Sequence, residues 1–376
     1  MPASPAPRYA LLLSTLFGGV GITMPFLPPY LAAKGLSPEA VGLVLFLGSA
    51  TRLAVAPPLG ALADRMPDPR GMLSLGALLG AGAALLWLPA QGLAALMALQ
   101  ILWSLCMAPL GPLAEAMTLV ASRAGLLDFG RVRAIGSVAF ILGSIAGGLV
   151  AERAGYGAVP LLLCATMAAS AAAAWLLPAA MRAGRPVRTG LAGLLSLPGL
   201  RRLLLVSALI NGSHAALYGF SSIHWARAGH DTAAIGLLWG LSVAAEVAMF
   251  WFGRRVLLRL DPRRLFLAAA VAGVLRWSVL AATTALPALA AAQLLHALTF
   301  GAYHLAAMHL LSQMVPPNRA AAAQTLHASL GAGGALALLT LACGPLYAAM
   351  GGGMFLVMAG LCLAALPLAW TLKPDR

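Results

Sequence analysis

Apolar residues follow one another along this chain in twelve long stretches, separated by short connections that carry most of the polar residues. The stretches lie at about 9–33, 39–63, 71–90, 93–121, 131–152, 157–181, 201–227, 233–256, 264–286, 288–314, 319–348 and 350–372. Several exceed the roughly 20 apolar residues that cross a bilayer. Because lipid offers no partner to backbone polar groups, such stretches predict helices. The pattern therefore predicts an all-α membrane protein with twelve transmembrane helices, called spans one to twelve below.

Composition agrees with this class and argues against a soluble domain. Apolar residues make up 61% of the chain and charged residues 9%, against roughly 25% charged in soluble proteins. The four cysteines lie far apart inside apolar stretches, without the spacing of a metal site or a disulfide set. The sequence carries no recognisable nucleophile elbow or phosphate-binding loop. We therefore expect neither an enzyme nor a bound cofactor or metal.

Positive charge is concentrated in alternate connections. If the N-terminus lies inside, 19 of the 24 Lys and Arg residues fall on the inner side. This asymmetry predicts that both termini are cytoplasmic. It also accounts for the formal net charge of +14, which we attribute to topology and anionic lipid and not to nucleic-acid binding.

The second half of the chain repeats the first. The segment AVGLVLFL at 40–47 reappears as AIGLLWGL at 234–241, and Asp-Pro-Arg at 68–70 reappears at 261–263. A duplicated unit of six spans is the plan of many transporters, which bind their solute between the repeats. We therefore predict three segments: an N-terminal half at 1–181, a cytoplasmic linker at 182–200 and a C-terminal half at 201–376.

Ionisable residues inside the apolar stretches are the strongest functional signal, because a charge at mid-bilayer is costly and by default marks a cavity or an ion path. Arg52 in span two and Glu246 in span eight occupy equivalent positions of the repeat. They could face each other, either as a structural ion pair or as a proton-sensitive latch. Span nine adds Arg276, and span ten adds His296 and His304, which could relay a proton or serve only as hydrogen-bonding core residues.

Span four carries Glu115 behind Pro109 and Pro112, which loosen the helix. Glu115 lies in the inner half of the span and is predicted to pair with Arg131 or Arg133 at the start of span five. Such a pair would be either an inner-gate salt bridge or a proton site.

Span seven carries a polar stripe. Asn211, His214, Tyr218 and Ser222 are separated by three, four and four residues, which places them on one face of a helix. A polar stripe on an apolar helix should face water or a ligand, because lipid would leave its groups unpaired. These four residues are the predicted substrate contacts.

The connection after span two reads Gly-Ala-Leu-Ala-Asp-Arg at 60–65, followed by Arg70. It resembles the loop between the second and third helices of major facilitator superfamily transporters. The resemblance implies two pseudo-symmetric six-helix halves, with Gly60 allowing close helix approach and the arginines clamping the loop. The cytoplasmic gating motif it implies comprises Gly60, Asp64, Arg65, Arg70, Arg131 and Arg133.

Further segments narrow the resemblance. Gly-Arg-Val-Arg at 130–133, Glu-Val-Ala-Met-Phe at 246–250, Arg-Trp at 276–277 and the segment 293–301 look like the 3-phenylpropionate transporter-like group, related to oligosaccharide and nucleoside proton symporters. The lactose permease, another family member, carries acids, arginines and a histidine in corresponding spans. The implied coupling set is Glu115, Arg131 or Arg133, Glu246, Arg276, and His296 or His304. Span ten here has no acid after its histidines, so the proton site must be Glu246, a histidine, or both.

These observations predict a proton-coupled symporter of the cytoplasmic (inner) membrane that imports a small organic solute by alternating access. An aromatic acid such as phenylpropionate is the favoured solute, and a sugar or nucleoside remains open. Span five lacks the proline of the Gly-Pro-x-x-Gly-Gly pattern that antiporters of the superfamily often carry. A drug/proton antiporter and a non-transporting receptor remain the alternatives. The expected partners are solute, protons and lipid, without nucleic acid; the proton gradient supplies the drive, and a monomer is expected.

Overall fold

The structure is a computed structural model that describes residues 4–63, 65–66, 68–178, 193–316 and 319–372. Across these residues every regular element is helical. Ten helices within the described ranges are long and apolar enough to cross a membrane. The last of them, Ala322–Trp370, is interrupted at Gly351, whose φ of 52° lies in the left-handed region. The all-helical prediction is thus confirmed, whereas the crossing of twelve helices and the cytoplasmic termini remain predictions.

We number the helical segments α1 to α12 in chain order and include short interruptions within a segment. They are α1 (Ala6–Ala33), α2 (Pro38–Ala63), α3 (Arg70–Leu86), α4 (Leu93–Arg123), α5 (Phe129–Ala154), α6 (Tyr156–Leu176), α7 (Pro198–Arg227), α8 (Thr232–Arg259), α9 (Pro262–Ala282), α10 (Leu286–Met314), α11 (320–350) and α12 (Met354–Trp370). Each corresponds to one predicted stretch. At 17 residues, α3 is shorter than the helices counted as candidate spans.

The chain divides into two compact units. The first contains Met1–Arg185 and Gly229–Gly240, and the second contains Pro186–Ala228 and Leu241–Arg376. The beginning of α8 thus belongs to the first unit, where the Thr232 hydroxyl donates to the carbonyl of Gly148 at 2.8 Å. The predicted linker lies outside the described residues up to position 192, and the predicted halves remain predictions.

Glycines set the packing of α1 against α5 in the first unit. A Cβ atom at Gly21 would collide with the carbonyl oxygen of Phe140, and one at Gly143 would collide with that of Gly18. Small residues at such contacts let helix backbones approach closely, which is how membrane helices gain packing energy.

Proline interrupts α4 as the sequence predicts. The helix ends at Met107 and resumes at Leu110, with Pro109 at the break. The missing N–H and the ring of proline disfavour a continuous helix at this point. Glu115 thereby lies on Leu110–Arg123, a helical segment separate from Leu93–Met107.

Three π-helical segments interrupt helices of the second unit, and the 3.6-residue pattern did not predict them. They are Leu217–Ser221 in α7, Ala297–Ala302 in α10 and His327–Gly334 in α11. A π-helix changes the face on which the following residues lie, and π-bulges are frequent at functional sites. The three segments therefore mark α7, α10 and α11 as candidates for a functional site.

Replacing Gly21 by alanine tests the glycine packing. We expect Gly21→Ala to lower the free energy of unfolding by about 1–3 kcal/mol, because overpacking forces the two backbones apart. The measurement is the thermal unfolding midpoint of the purified protein in detergent.

Gly82→Ala is the matched control, since a methyl group on Gly82 of α3 would meet open space. Equal midpoints for the two variants would contradict the packing assigned to Gly21.

Candidate functional site

A fully buried arginine organises the interior of the second unit. Arg276 of α9 is 0% exposed. Its Nη1 donates to Nδ1 of His296 and to Oγ1 of Thr299, both at 2.9 Å, and its Nη2 donates to Oε1 of Gln293 at 2.7 Å. All three acceptors belong to α10. The charge of α9 is therefore held by the part of α10 around its π-helix.

The contact with Arg276 fixes the protonation pattern of His296. A guanidinium group only donates hydrogen bonds, so Nδ1 of His296 must be an unprotonated acceptor. The neutral ring then carries its hydrogen on Nε2, which lies 3.4 Å from Oε2 of Glu246. The result is a directed chain of polar contacts, in which Arg276 donates to His296 and the N–H of His296 faces the carboxylate of Glu246.

A second proton on His296 would place an N–H group against the N–H of Arg276. The observed contact is therefore compatible only with a neutral His296. The side chain of Glu246 is 20% exposed, whereas that of His296 is 6% exposed. Glu246 therefore faces the N–H of His296 and is the more exposed of the two side chains.

His214 of α7 joins the same network. Its Nδ1 lies 3.1 Å from the carbonyl oxygen of Ile210, which can only accept, so Nδ1 carries the hydrogen. Its Nε2 lies 3.2 Å from the hydroxyl of Thr299, which accepts from Arg276 and has its own hydrogen to donate. A neutral His214 thus satisfies every donor and acceptor in this part of the network.

The ring of Trp277 packs against two members of the network, Arg276 and His214. The guanidinium of Arg276 lies 4.8 Å from the centroid of this ring, and the ring of His214 meets it edge-on at 5.2 Å. The indole N–H donates to the Ser213 hydroxyl at 2.9 Å, which fixes the orientation of the ring. Among the described residues, the buried Nε of Arg276 has no hydrogen-bond partner.

The π-helix of α10 aligns three rings. His296 and Phe300 stack with centroids 5.3 Å apart, and Phe300 and His304 stack at 6.1 Å with planes 8° apart. An α-helix would rotate residues eight positions apart by roughly 80°. The wider π turn instead brings His296 and His304 onto one face. The predicted histidine pair therefore shares a face, with Phe300 between the two rings.

The polar stripe of span seven does not form one open face. Asn211, His214 and Ser222 are buried, and Tyr218 alone of the four is partly exposed. The helix is interrupted at 213–214 and becomes a π-helix at Leu217, so α-helical spacing does not apply. Asn211 donates its amide to the carbonyl of Ala332 in α11 at 3.3 Å. The stripe thus mainly joins helices of the second unit, and the predicted substrate contacts remain a prediction that Tyr218 fits best.

In the first unit, Glu115 pairs with Arg133. The Nε of Arg133 donates to Oε1 of Glu115 at 2.8 Å and its Nη1 donates to the Ser137 hydroxyl at 3.1 Å. The guanidinium also lies over the ring of Phe17 at 4.2 Å, so the pair joins α1, α4 and α5.

Arg131, the other predicted partner of Glu115, lies at the exposed start of α5. Its backbone N–H donates to the capping carboxylate of Asp128 at 2.9 Å. Of the two alternatives, the structure selects Arg133 as the partner of Glu115.

Arg52 differs from Arg276 in its surroundings. It is exposed on α2, and its Nη2 lies 3.5 Å from the Ser49 hydroxyl. Within the described part of the first unit no carboxylate pairs with it. Arg52 and Glu246 belong to different units, so the predicted pairing between them remains a prediction.

Part of the loop motif behaves as predicted. Arg70 forms an ion pair with Asp68 at 2.6 Å and donates to the carbonyl of Leu177 at 2.7 Å, which ties the loop to the end of α6. Hydrogen bonds from Arg70 hold the pKa of the Asp68 carboxyl below its usual value.

Of three other members of the motif, one departs from the prediction, one stays a prediction, and one is not described. A methyl group on Gly60 would meet open space, so the expected close helix approach at this glycine is wrong. The side chain of Arg65 is exposed. Asp64 lies outside the described residues.

Sequence reasoning missed the neutral members of the network. Gln293, Thr299 and Ser213 carry no charge and therefore gave no signal in a search for ionisable residues. Gln293 and Thr299 flank His296 at three residues on either side, in an otherwise apolar span. This spacing, which places both side chains near His296 on a helix, was the sequence signal that could have identified them.

Comparisons with known proteins agree with the fold. A model of the MFS_1 like family matches residues 8–358. The probable 3-phenylpropionic acid transporter of Escherichia coli (strain K12) is 36% identical over 375 residues, which cover 97% of this chain and 96% of that protein. The maltose permease of Geobacillus stearothermophilus is 26% identical over 279 residues, or 73% and 70% of the two chains. A crystal structure of a mutant of the nucleoside transporter NupG has a TM-score of 0.87 at 15% identity, covering 98% of this chain and 99% of that one, which shows a shared fold.

The two intramembrane arginines should differ in their effect on stability. We expect Arg276→Gln to lower the free energy of unfolding by about 3 kcal/mol or more, because it leaves buried partners unpaired. Arg52→Gln, the matched control, should change it by about 0.5 kcal/mol or less, as for an exposed side chain. Thermal unfolding midpoints in detergent measure both, and similar losses would contradict the assignment of Arg276 as the buried centre.

Proposed function

The chain belongs to the MFS_1 like family of transporters, and we propose that it imports a small aromatic acid together with protons. It would do so by alternating access in the cytoplasmic membrane, as a monomer of twelve spans with both termini inside. The proton gradient would supply the energy.

The observation that carries the proton coupling is the directed chain from Arg276 through His296 to Glu246. His296 cannot take a second proton while Arg276 donates to its Nδ1. His214 is likewise satisfied as a neutral ring between Ile210 and Thr299. Of the groups in this network, the partly exposed carboxyl of Glu246 is left as the one that gains and loses a proton.

The proposed cycle follows from this arrangement. When Glu246 is ionised, it accepts the N–H of His296, and the positive charge of Arg276 stabilises the carboxylate through the ring. When Glu246 takes a proton, its charge disappears and its attraction to His296 weakens. A change in protonation thus alters how α8 is held to α10, and an ionisable group that moves a helix contact is what coupling requires.

The substrate class follows from the two arginines. An aromatic carboxylate needs a cation that is accessible and not already committed. Arg276 is fully buried and donates to three acceptors, whereas Arg52 is exposed beside Ser49. We therefore assign Arg52 to the substrate carboxylate. The relative that is 36% identical, a probable 3-phenylpropionic acid transporter, favours this class of solute over sugars.

Glu246→Gln tests the proton carrier. In proteoliposomes we expect this variant to lose accumulation of 3-phenylpropionate driven by a proton gradient, because a fixed neutral side chain cannot release a proton. Exchange of labelled for unlabelled solute should persist, since a glutamine resembles the protonated carboxyl.

Glu39→Gln, at the exposed beginning of α2, is the control and should accumulate solute like the unaltered protein. A Glu246→Gln variant that still concentrates solute would refute the assignment. Proton movement evoked instead by sugars or nucleosides would change the substrate class, and outward protons with lipophilic cations would indicate an antiporter. Binding without any flux would indicate a receptor.

Arg52→Gln tests the carboxylate site. We expect its KM for 3-phenylpropionate to rise by about tenfold or more, since a hydrogen bond to a charged group is worth roughly 1.5–3 kcal/mol. The uncharged analogue 3-phenylpropionamide serves as the matched ligand. Its competition with labelled solute should be the same for the variant and the unaltered protein, and an unchanged KM for the acid would refute the role of Arg52.

A further inference from the structure

A groove lies between the beginnings of α1 and α5 in the first unit, away from the network around Arg276. Its volume is about 650 Å³. At one end the Ser4 hydroxyl donates to the carbonyl of Leu126 at 3.2 Å, which ties the chain before α1 to the connection before α5. Most of its walls are small or apolar side chains, joined by one arginine, and include Ala6, Ala10, Leu11, Arg131, Val132 and Ile135.

Short side chains leave this groove open. Further along, Gly18 and Gly143 bring the backbones of α1 and α5 into close contact. Near the beginning of α1 the side chains that line the groove include Ala6 and Ala10, which are too small to fill the space beside α5. The groove is therefore built into the packing of two helices that are both long and apolar enough to cross a membrane.

Arg131 brings an uncommitted positive charge to the groove. Its side chain is 88% exposed, and the nearest carboxylate oxygen of Asp128 lies 4.0 Å from its Nε. Asp128 is committed instead to the backbone N–H of Arg131, which it caps at 2.9 Å. Among the described residues no acceptor lies within hydrogen-bond distance of the Arg131 guanidinium. Arg8, which follows the lining residue Pro7, adds a second exposed cation.

A stripe of exposed apolar side chains continues from Arg131 along α5. Ile135, Val138 and Leu142 are 46%, 53% and 60% exposed. Spacings of four, three and four residues place them on one face with Arg131, and we call them the apolar stripe. The helix rises roughly 16 Å from 131 to 142, about half of the roughly 30 Å hydrocarbon core of a bilayer. The cation and the stripe thus match the headgroup and the acyl chain of one lipid in one leaflet.

We propose that this groove binds one anionic phospholipid, with its phosphate at Arg131 and Arg8 and an acyl chain along the apolar stripe. Two cations face one acid, Asp128, so the groove favours a negative headgroup over a zwitterionic one. Arginine pairs with phosphate through two parallel hydrogen bonds, and basic pockets between membrane helices bind anionic headgroups. A free phosphate would use the cations and leave the apolar stripe uncovered. The proposal does not depend on the solute or on proton coupling.

Photolabelling of the full chain in phosphatidylcholine nanodiscs tests the site. The probe is a small share of phosphatidylglycerol with a photoreactive diazirine on one acyl chain, and mass spectrometry quantifies the labelled peptides. Leu75 and Leu79 of α3, 58% and 54% exposed, are the internal reference, because the nearby Arg70 is already paired with Asp68. Labelling of 135–142 relative to this reference should be about fivefold higher than with photoreactive phosphatidylcholine, as expected for a basic residue near an anionic lipid.

Three variants assign this preference to its charges. Arg131→Gln should reduce it to within about twofold of phosphatidylcholine. Asp128→Asn should increase it, because asparagine caps a helix as well as aspartate and carries no charge. Arg153→Gln, at the exposed far end of α5, is the matched control and should keep the preference of the unaltered protein.

The same measurement identifies any other occupant. Equal labelling by the two lipids, or a preference that survives in Arg131→Gln, would overturn the lipid site. Cross-links between two copies of the chain through 135–142 would show that a second copy covers the stripe, and would also overturn it. Loss of the preference on addition of inorganic phosphate, but not of chloride at equal ionic strength, would make free phosphate the ligand in place of a lipid. None of these readouts requires transport, so each stands apart from a failure of the proposed function.

Discussion

The buried charge of Arg276 is the constraint on which the second unit depends. A guanidinium inside a membrane protein is tolerable only if its donors are paired, because the penalty of removing it from water amounts to several kcal/mol. The chain meets most of this demand with a glutamine, a histidine and a threonine of α10, which accept from Nη1 and Nη2, and it leaves the buried Nε without a partner among the described residues. Each bond in turn fixes its acceptor, so His296 presents its remaining N–H to Glu246 and Thr299 presents its hydroxyl to His214. One charge thereby determines the hydrogen-bond direction of a whole network, and the carboxyl of Glu246 at its end is the group that we propose as the proton carrier.

The π-helices explain how so many side chains reach this charge. An α-helix distributes consecutive polar residues around its axis, and only part of them can meet one partner. In α10 the wide turn follows His296, and it stacks His296, Phe300 and His304 on one face. In α11 the wide turn places His327 and Ala332 against Ser207 and Asn211 of α7. Irregular backbone inside a membrane persists where neighbouring helices satisfy the groups it frees.

The sequence predicted the helices and the principal ionisable residues because both signals are local. Long apolar stretches indicate helices, and a charge within such a stretch is conspicuous. It did not predict Gln293 and Thr299, whose neutral side chains matter only because Arg276 approaches them from another helix. It also did not predict the interruption of α7 at 213–214 or its π-helix from Leu217, because helical periodicity assumed an uninterrupted helix. The sequence could not choose between Arg131 and Arg133 either. These two arginines lie two positions apart on one helix, and they differ only in what packs against them. Here the approach of Phe17 and Glu115 selects Arg133.

The contrast between Arg52 and Arg276 shows why position in an apolar span does not define a role. By hydropathy the two are equivalent, as each interrupts a long apolar helix with one positive charge. Arg276 is hidden and committed to three acceptors, so a ligand that bound it would have to replace bonds that hold α9 to α10. Arg52 is exposed beside a hydroxyl, so a carboxylate could bind it without disturbing other contacts in the first unit. The proposed function assigns substrate recognition and proton response to different charges, so that on this proposal the solute could change without altering the network around Arg276.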